Sequence, residues 1–207
     1  MLKRRIQWVF LDMGTTLIDE TQAWRHRIRD MIAGTGISFE QFHEKRIAFA
    51  RQNLNGDAEA IRFFGLTKTP WPKEDEVPYP QAEAILAYLR GRGYGVGVIA
   101  NQSPGSAERL RGWGLLPYID VVAASAELGV AKPDRAIFDR ALEMARCGPQ
   151  EAVMIGDRLD NDVAPAKRLG MAAIWIRQGL AVYQDPQWAE GRADAVVEHL
   201  LELKEIL

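Results

Sequence analysis

The chain has 207 residues, of which 47% are apolar and 26% charged, and 26 Lys+Arg against 28 Asp+Glu leave a formal charge of −2. That length suits one domain, or one domain with a small insertion, and the composition excludes disordered and fibrous classes. The charge balance excludes a strongly basic footprint for nucleic acid or an anionic membrane, and the single cysteine, Cys147, closes no internal disulfide and builds no cysteine zinc cluster.

The start, Met1-Leu2-Lys3-Arg4-Arg5-Ile6, is basic and then apolar. Its apolar run Trp8-Val9-Phe10-Leu11 stops at Asp12, short of a secretory core, and no small-residue cleavage site follows. No uncharged stretch approaches the ~20 residues of a membrane helix, so a cytoplasmic chain without membrane partners is expected. Residues 6–11 read as a buried strand opening into the polar loop Asp12-Met13-Gly14-Thr15-Thr16. Trp24, Ile28, Met31 and Ile32 then repeat at helical spacing, as do Phe39, Phe42, Ile47, Phe49 and Ala50, with Ser38 and Gln41 forming a capping box for the second helix. Residues 67–80 (TKTPWPKEDEVPYP) hold four of the ten prolines and read as a linker.

Beyond the linker, strand and helix alternate. Helices are predicted over 81–92, 107–113, 134–146, 162–169 and 195–207, and strands over 94–100, 119–124, 152–155 and 172–176. This rhythm implies βαβ units and a Rossmann-like α/β fold, a parallel sheet with helices on both faces. The first strand is parted from its partners by about sixty residues where 2–6 are usual. The expected organisation is therefore an α/β core over 1–19 and 79–207 carrying a small helical insertion over 20–78.

In open parallel sheets ligands bind outside the carboxyl ends of the strands, which selects Asp12, Asn101, the loop 125–133 and residues 157–162. These supply two carboxylates from separate strands, a further carboxylate pair, an amide and Lys132. Asp12 and Asp157 are hard oxygen ligands suited to Mg²⁺, Lys132 is suited to a dianion, and Asp12 to nucleophilic attack. Singly, each Asp also fits a helix cap after a strand; the convergence of four loops on one crevice favours chemistry.

The segment Asp12-Met13-Gly14-Thr15-Thr16-Leu17-Ile18-Asp19, followed by Ile99-Ala100-Asn101, Lys132-Pro133 and Gly156-Asp157-Arg158-Leu159-Asp160-Asn161-Asp162, resembles in order the four motifs of the haloacid dehalogenase (HAD) superfamily. The insertion is similar to that superfamily's C1 cap. The resemblance implies a Mg²⁺-dependent phosphatase working through an aspartyl-phosphate on a small phosphorylated metabolite. It implies Asp12 as nucleophile and metal ligand, the Gly14 carbonyl and Asp157 as further ligands, and Asp162 in or behind that shell. Lys132 and the Asn101 backbone N–H would hold the phosphate. Two positions depart from the pattern. The family's phosphatases usually carry an acid–base Asp where Gly14 stands, help worth roughly 10²–10⁴-fold. They also present a hydroxyl to the phosphate where Ala100 stands, and Asn101, Gln102 and Ser103 are the candidates to supply a substitute donor. Three readings follow: a phosphatase in which a water or a cap residue does the missing task, a degenerate protein that keeps metal and phosphate affinity, and a metal-free dehalogenase-type hydrolase.

His26, His43 and His199 fit no zinc spacing and read as surface or satisfied core residues. Gly95 and Gly97 read as allowing helix to pack closely on sheet, not as a dinucleotide fingerprint. Trp24, Arg25, Arg27 and Arg29 read either as crevice residues or as an amphipathic helix surface. The loop 183–188 reads as an oligomer contact, with the oligomeric state left open.

Overall fold

A computed structural model describes residues 5–207; the basic start Met1 to Arg4 lies outside the described residues. The described strands are β1 (Trp8–Leu11), β2 (Ile18–Asp19), β3 (Val77–Pro78), β4 (Gly95–Ala100), β5 (Val121–Ala124), β6 (Ala152–Gly156), β7 (Ala172–Ile176) and β8 (Ala195–Val197). Six of them make a parallel sheet in the order β5-β4-β1-β6-β7-β8. The strand order reverses about β1, which pairs with β4 on one side and β6 on the other. The loops after these three strands therefore open on one crevice, the site that such sheets use for ligands.

The sheet is buried on both faces. Val9, Leu11, Val98 and Ile155 join one apolar cluster with Ile85, Leu86 and Leu89 of α4 (Ala82–Gly91). Phe10, Ile99, Met154 and Trp175 join a second with Ile137, Phe138 and Ala141 of α7 (Arg135–Ala145). Alternate residues of β1 thus serve opposite faces, as strand geometry requires, and each large side chain so buried contributes about 1.5–3 kcal/mol.

Between β2 and β3 lie α1 (Thr21–Ile32), α2 (Phe39–Ala50) and α3 (Gly56–Phe63), the last a helix that the apolar periodicity did not single out. Ile28, Met31, Phe42, Ala60 and Ile61 form an apolar cluster of their own among these helices. The capping box at Ser38 is present: Ser38 Oγ accepts from Gln41 N–H at 3.1 Å and Ser38 N–H donates to the Gln41 side chain at 2.8 Å. The chain enters and leaves the helices through antiparallel pairing of β2 with β3, so the proline-rich segment ends in a strand and is not linker throughout. Trp71 in that segment stacks edge-on against Trp24 at 5.1 Å.

Two sequence expectations are corrected. Residues 195–207 are not one helix. Ala195-Val196-Val197 is edge strand β8, pairing with β7, and only Leu203–Ile206 is α-helical (α9). The β-branched pair favours the sheet once β7 offers free backbone groups. The space at Gly95 and Gly97 is taken first by rings of the adjacent strand: a Cβ on Gly95 would stand 2.5 Å from the Trp8 ring, and one on Gly97 2.5 Å from the Phe10 ring. The remaining helices are α5 (Ser106–Gly112), α6 (Ser125–Leu128) and α8 (Ala164–Leu169), the last preceded by a π-helical turn at Leu159–Val163. No helix among the described residues is long and apolar enough to cross a membrane.

Candidate active site

Asp12 follows β1, Asn101 follows β4, and Asp157 follows β6; Lys132 comes from the loop beyond α6. The fold brings the predicted acids and the lysine together. Carboxylate oxygens of Asp12, Asp157 and Asp162 lie within 4.8 Å of one another. The Lys132 ammonium bridges Asp12 Oδ1 at 2.7 Å and Asp162 Oδ1 at 2.6 Å. Asp12 Oδ1 also accepts the Met13 N–H at 2.7 Å, and neither of these bonds reaches Oδ2.

The π-helical turn carries Asp162 inward, and its Oδ2 accepts the Arg158 N–H at 3.0 Å. Such turns insert one extra residue and often mark functional sites. Gly156 leaves the room: a Cβ there would stand 2.4 Å from the Asp162 carboxyl carbon. Asn101 anchors the loop that carries the lysine. Its Nδ2 donates to the Lys132 carbonyl at 2.8 Å, and its Oδ1 accepts the Lys132 N–H at 2.7 Å.

Charge is unbalanced in this cluster. Three buried acids face one lysine, and no cation lies within ion-pair distance of Asp157 among the described residues. Burial, then repulsion from Asp162 and Asp12, pushes the Asp157 carboxyl well above the usual range. Burial alone would lower the Lys132 ammonium, but Asp12 and Asp162 outweigh it and raise it. A site short of positive charge and built of hard carboxylate oxygens fits a divalent cation such as Mg²⁺.

Asp12 and Asp157 line a cavity of about 580 Å³ with Gly14, Asn101 and, from the intervening helices, Trp24, Arg27, His43, Arg46 and Asp57. Arg46 pairs with Asp57 at 2.7 Å, and its guanidinium lies 5.2 Å from the Trp24 ring. Arg27 donates to the Thr69 carbonyl at 2.6 Å and lies 5.4 Å from the Trp71 ring. The crevice reading therefore holds for Trp24, Arg25 and Arg27, whereas Arg29 is exposed and lies outside the lining. His43 is neither a surface nor a satisfied core histidine, since it lines the cavity and its buried Nδ1 has no hydrogen-bond partner among the described residues. The loop 183–188 folds back on the helices: Asp185 N–H donates to Asn53 Oδ1 at 2.9 Å, and Arg51 lies 5.8 Å from the Tyr183 ring.

At the two departures from the motif the neighbouring side chains are engaged. None of the side chains near Ala100 is idle. Asn101 holds the Lys132 backbone, and Ser103 Oγ accepts from Arg109 at 3.0 Å. Gln102 Oε1 accepts from Arg109 at 2.7 Å while its Nε2 donates to Glu20 Oε1 at 3.2 Å. At Gly14, a Cβ would stand 2.3 Å from Glu20 Oε1, so the Glu20 carboxyl fills that space. Burial pushes this carboxyl up to about 8, against the bond from Gln102 and with the charge of Asp12 adding to the rise. Glu20 is the residue that sequence reasoning missed; the bare Gly14 was its only trace.

A family model for haloacid dehalogenase-like hydrolases matches residues 6–170, and the chain belongs to that family of hydrolases. A glyceraldehyde 3-phosphate phosphatase of Methanothermobacter thermautotrophicus is 33% identical, with 96% of this chain and 98% of the relative covered. A phosphoserine phosphatase of Thermus thermophilus is 39% identical over 53% of this chain, and the chain spans 44% of that relative's length. A HAD phosphatase structure from Thermococcus onnurineus superposes with a TM-score of 0.70 at 27% identity, covering 97% of each chain.

Proposed function

We propose that the chain is a Mg²⁺-dependent phosphomonoester hydrolase acting on a small phosphorylated metabolite through an aspartyl-phosphate at Asp12. The observation that carries this reading is the ammonium of Lys132 shared between Asp12 and Asp162, with Asp157 beside them lacking an ion-pair partner among the described residues. Asp12, the Gly14 carbonyl and Asp157 would hold the ion, with Asp162 behind them. When bound, Mg²⁺ would supply positive charge against the phosphoryl oxygens. Lys132 offsets the charge of Asp12 so that an anionic phosphoryl group can approach it, and holds Asp12 by Oδ1. The Asn101 backbone N–H is assigned to the phosphate, while its side chain fixes the lysine loop. Asp12 attacks phosphorus, the ester oxygen leaves, and water then releases phosphate from Asp12.

The division into a core over 1–19 and 79–207 and a C1-type cap over 20–78 belongs to the same reading. It is supported by the separate apolar cluster of the helices and by the β2–β3 pairing at their base. The cap lines the cavity with Trp24, Arg27 and Arg46, which suits the non-phosphate end of a polar or anionic metabolite. A metal-free dehalogenase-type route would leave Asp157 buried and unpaired, a costly arrangement. The test is turnover of p-nitrophenyl phosphate, acetyl phosphate and sugar phosphates with Mg²⁺ and with chelator, alongside Asp12→Asn. Metal-dependent turnover abolished by the substitution is expected. Turnover of 2-haloacids in chelator, or inactivity with retained Mg²⁺ binding, would overturn it in favour of the dehalogenase or the degenerate binder.

A further inference from the structure

We infer that Glu20 is the proton donor and acceptor of the reaction, a carboxyl delivered from the base of α1 into the space that the missing side chain of residue 14 leaves open. The inference rests on the phosphoryl-transfer reading above. An alkyl phosphate needs a proton on its leaving oxygen, and the water that follows needs one removed. The acids lining the cavity are Asp12, Glu20, Asp57 and Asp157. Asp12 is the nucleophile, Asp157 belongs to the cation cluster, and Asp57 is paired with Arg46 at 2.7 Å. Glu20 alone of the four stands outside the cluster with no ion pair among the described residues.

Its setting is built. Glu20 occupies the N-cap position of α1, yet its side chain makes no capping bond; Asp19 Oδ1 accepts the Thr21 N–H at 2.8 Å instead. Released from capping, the Glu20 carboxyl reaches back over Gly14, with both oxygens and the carboxyl carbon within 2.7 Å of where a Cβ on residue 14 would be. Arg109 orients it from behind. The guanidinium donates to Gln102 Oε1 at 2.7 Å, which turns the Gln102 amide so that Nε2 donates to Glu20 Oε1 at 3.2 Å. Oε1 is thereby an acceptor, and the transferable proton belongs on Oε2, where among the described residues only a long 3.4 Å contact to the Thr15 hydroxyl competes.

In the first step Asp12 bonds to phosphorus, the bond from phosphorus to the leaving oxygen breaks, and that oxygen takes the proton from Glu20 Oε2 to depart as an alcohol. In the second, water bonds to the phosphorus of the aspartyl-phosphate and returns a proton to Glu20. The bond from phosphorus to the Asp12 oxygen breaks, and phosphate leaves with both carboxyls restored.

The two roles give Glu20→Gln a signature that a merely structural residue would lack. With Mg²⁺ present, turnover of an alkyl phosphate should fall about 10²–10⁴-fold. p-Nitrophenolate leaves without a proton, so p-nitrophenyl phosphate should give a rapid burst of one equivalent per site followed by slow turnover, with phosphorylated Asp12 trapped by acid quench. Glu20→Ala should lose alkyl-phosphate turnover, and Glu20→Ala with Gly14→Asp should regain part of it, because the aspartate enters vacated space. Full alkyl-phosphate turnover in Glu20→Gln, or equal losses on both substrates with no burst, overturns the assignment while Asp12→Asn remains inactive. Turnover that survives Asp12→Asn overturns the phosphatase reading and this inference with it.

Discussion

Lys132 shows how much one buried side chain can carry. Its ammonium is buried and touches two carboxylates. Removing one partner of a buried pair leaves uncompensated charge at a cost of about 3–5 kcal/mol. Lys132→Met should therefore lower stability by that order in urea unfolding, and the loss should shrink at acidic pH where the stranded carboxylates take up protons. Glu20 makes the opposite prediction. Its folded value of about 8 lies above its ordinary 4.5, so the folded protein keeps a proton that the unfolded chain gives up as pH rises. Stability falls between those two values and levels off above them. Glu20→Gln escapes this fall, so the metal-free variant should melt above the wild type at pH 8, and the difference should close as pH drops to 4.5.

At the scale of elements, the capping box of α2 is a clean test of the helical segment. Ser38→Ala removes the acceptor for Gln41 N–H and should cost about 1 kcal/mol, read from the thermal midpoint. That box was legible in the sequence because its bonds span three residues. The strands around the crevice were legible for the same reason: an apolar run ending in Asp or Asn is a local pattern. What escaped depends on distant partners. Val196 and Val197 sit in a segment whose later leucines imitate a helix, and only the exposed edge of β7 draws them into the sheet. Asp162 falls in a predicted helix, but its partner there is a lysine thirty residues away, met from a π turn that no local pattern announces. Glu20 was silent because its place is defined by an absence at Gly14.

For the whole molecule, three acids against one lysine mean that a bound cation should stabilise the fold. Mg²⁺ at a hundred times its dissociation constant should add about 2.7 kcal/mol, and chelator should remove it. Scanning calorimetry should show this rise for the wild type and little of it for Asp157→Asn. The four motif loops lie far apart in sequence and meet where the strand order reverses at β1, so Asp12 and its neighbours depend on the integrity of the central strands.

Those strands carry a restriction of their own. Trp8 and Phe10 on β1 sit in register with Gly95 and Gly97 on β4, each ring occupying the volume that a methyl on its glycine would claim. Ring and hydrogen are thus two halves of one quantity, conserved across the gap between strands. Gly97→Ala should be costly alone and much less so beside Phe10→Leu, a coupling that a double-mutant cycle would read as about 0.5–3 kcal/mol. At Trp8 and Phe10 the strand leading to Asp12 shares its volume with its neighbour, so bulk added at either glycine calls for a matched exchange across the gap.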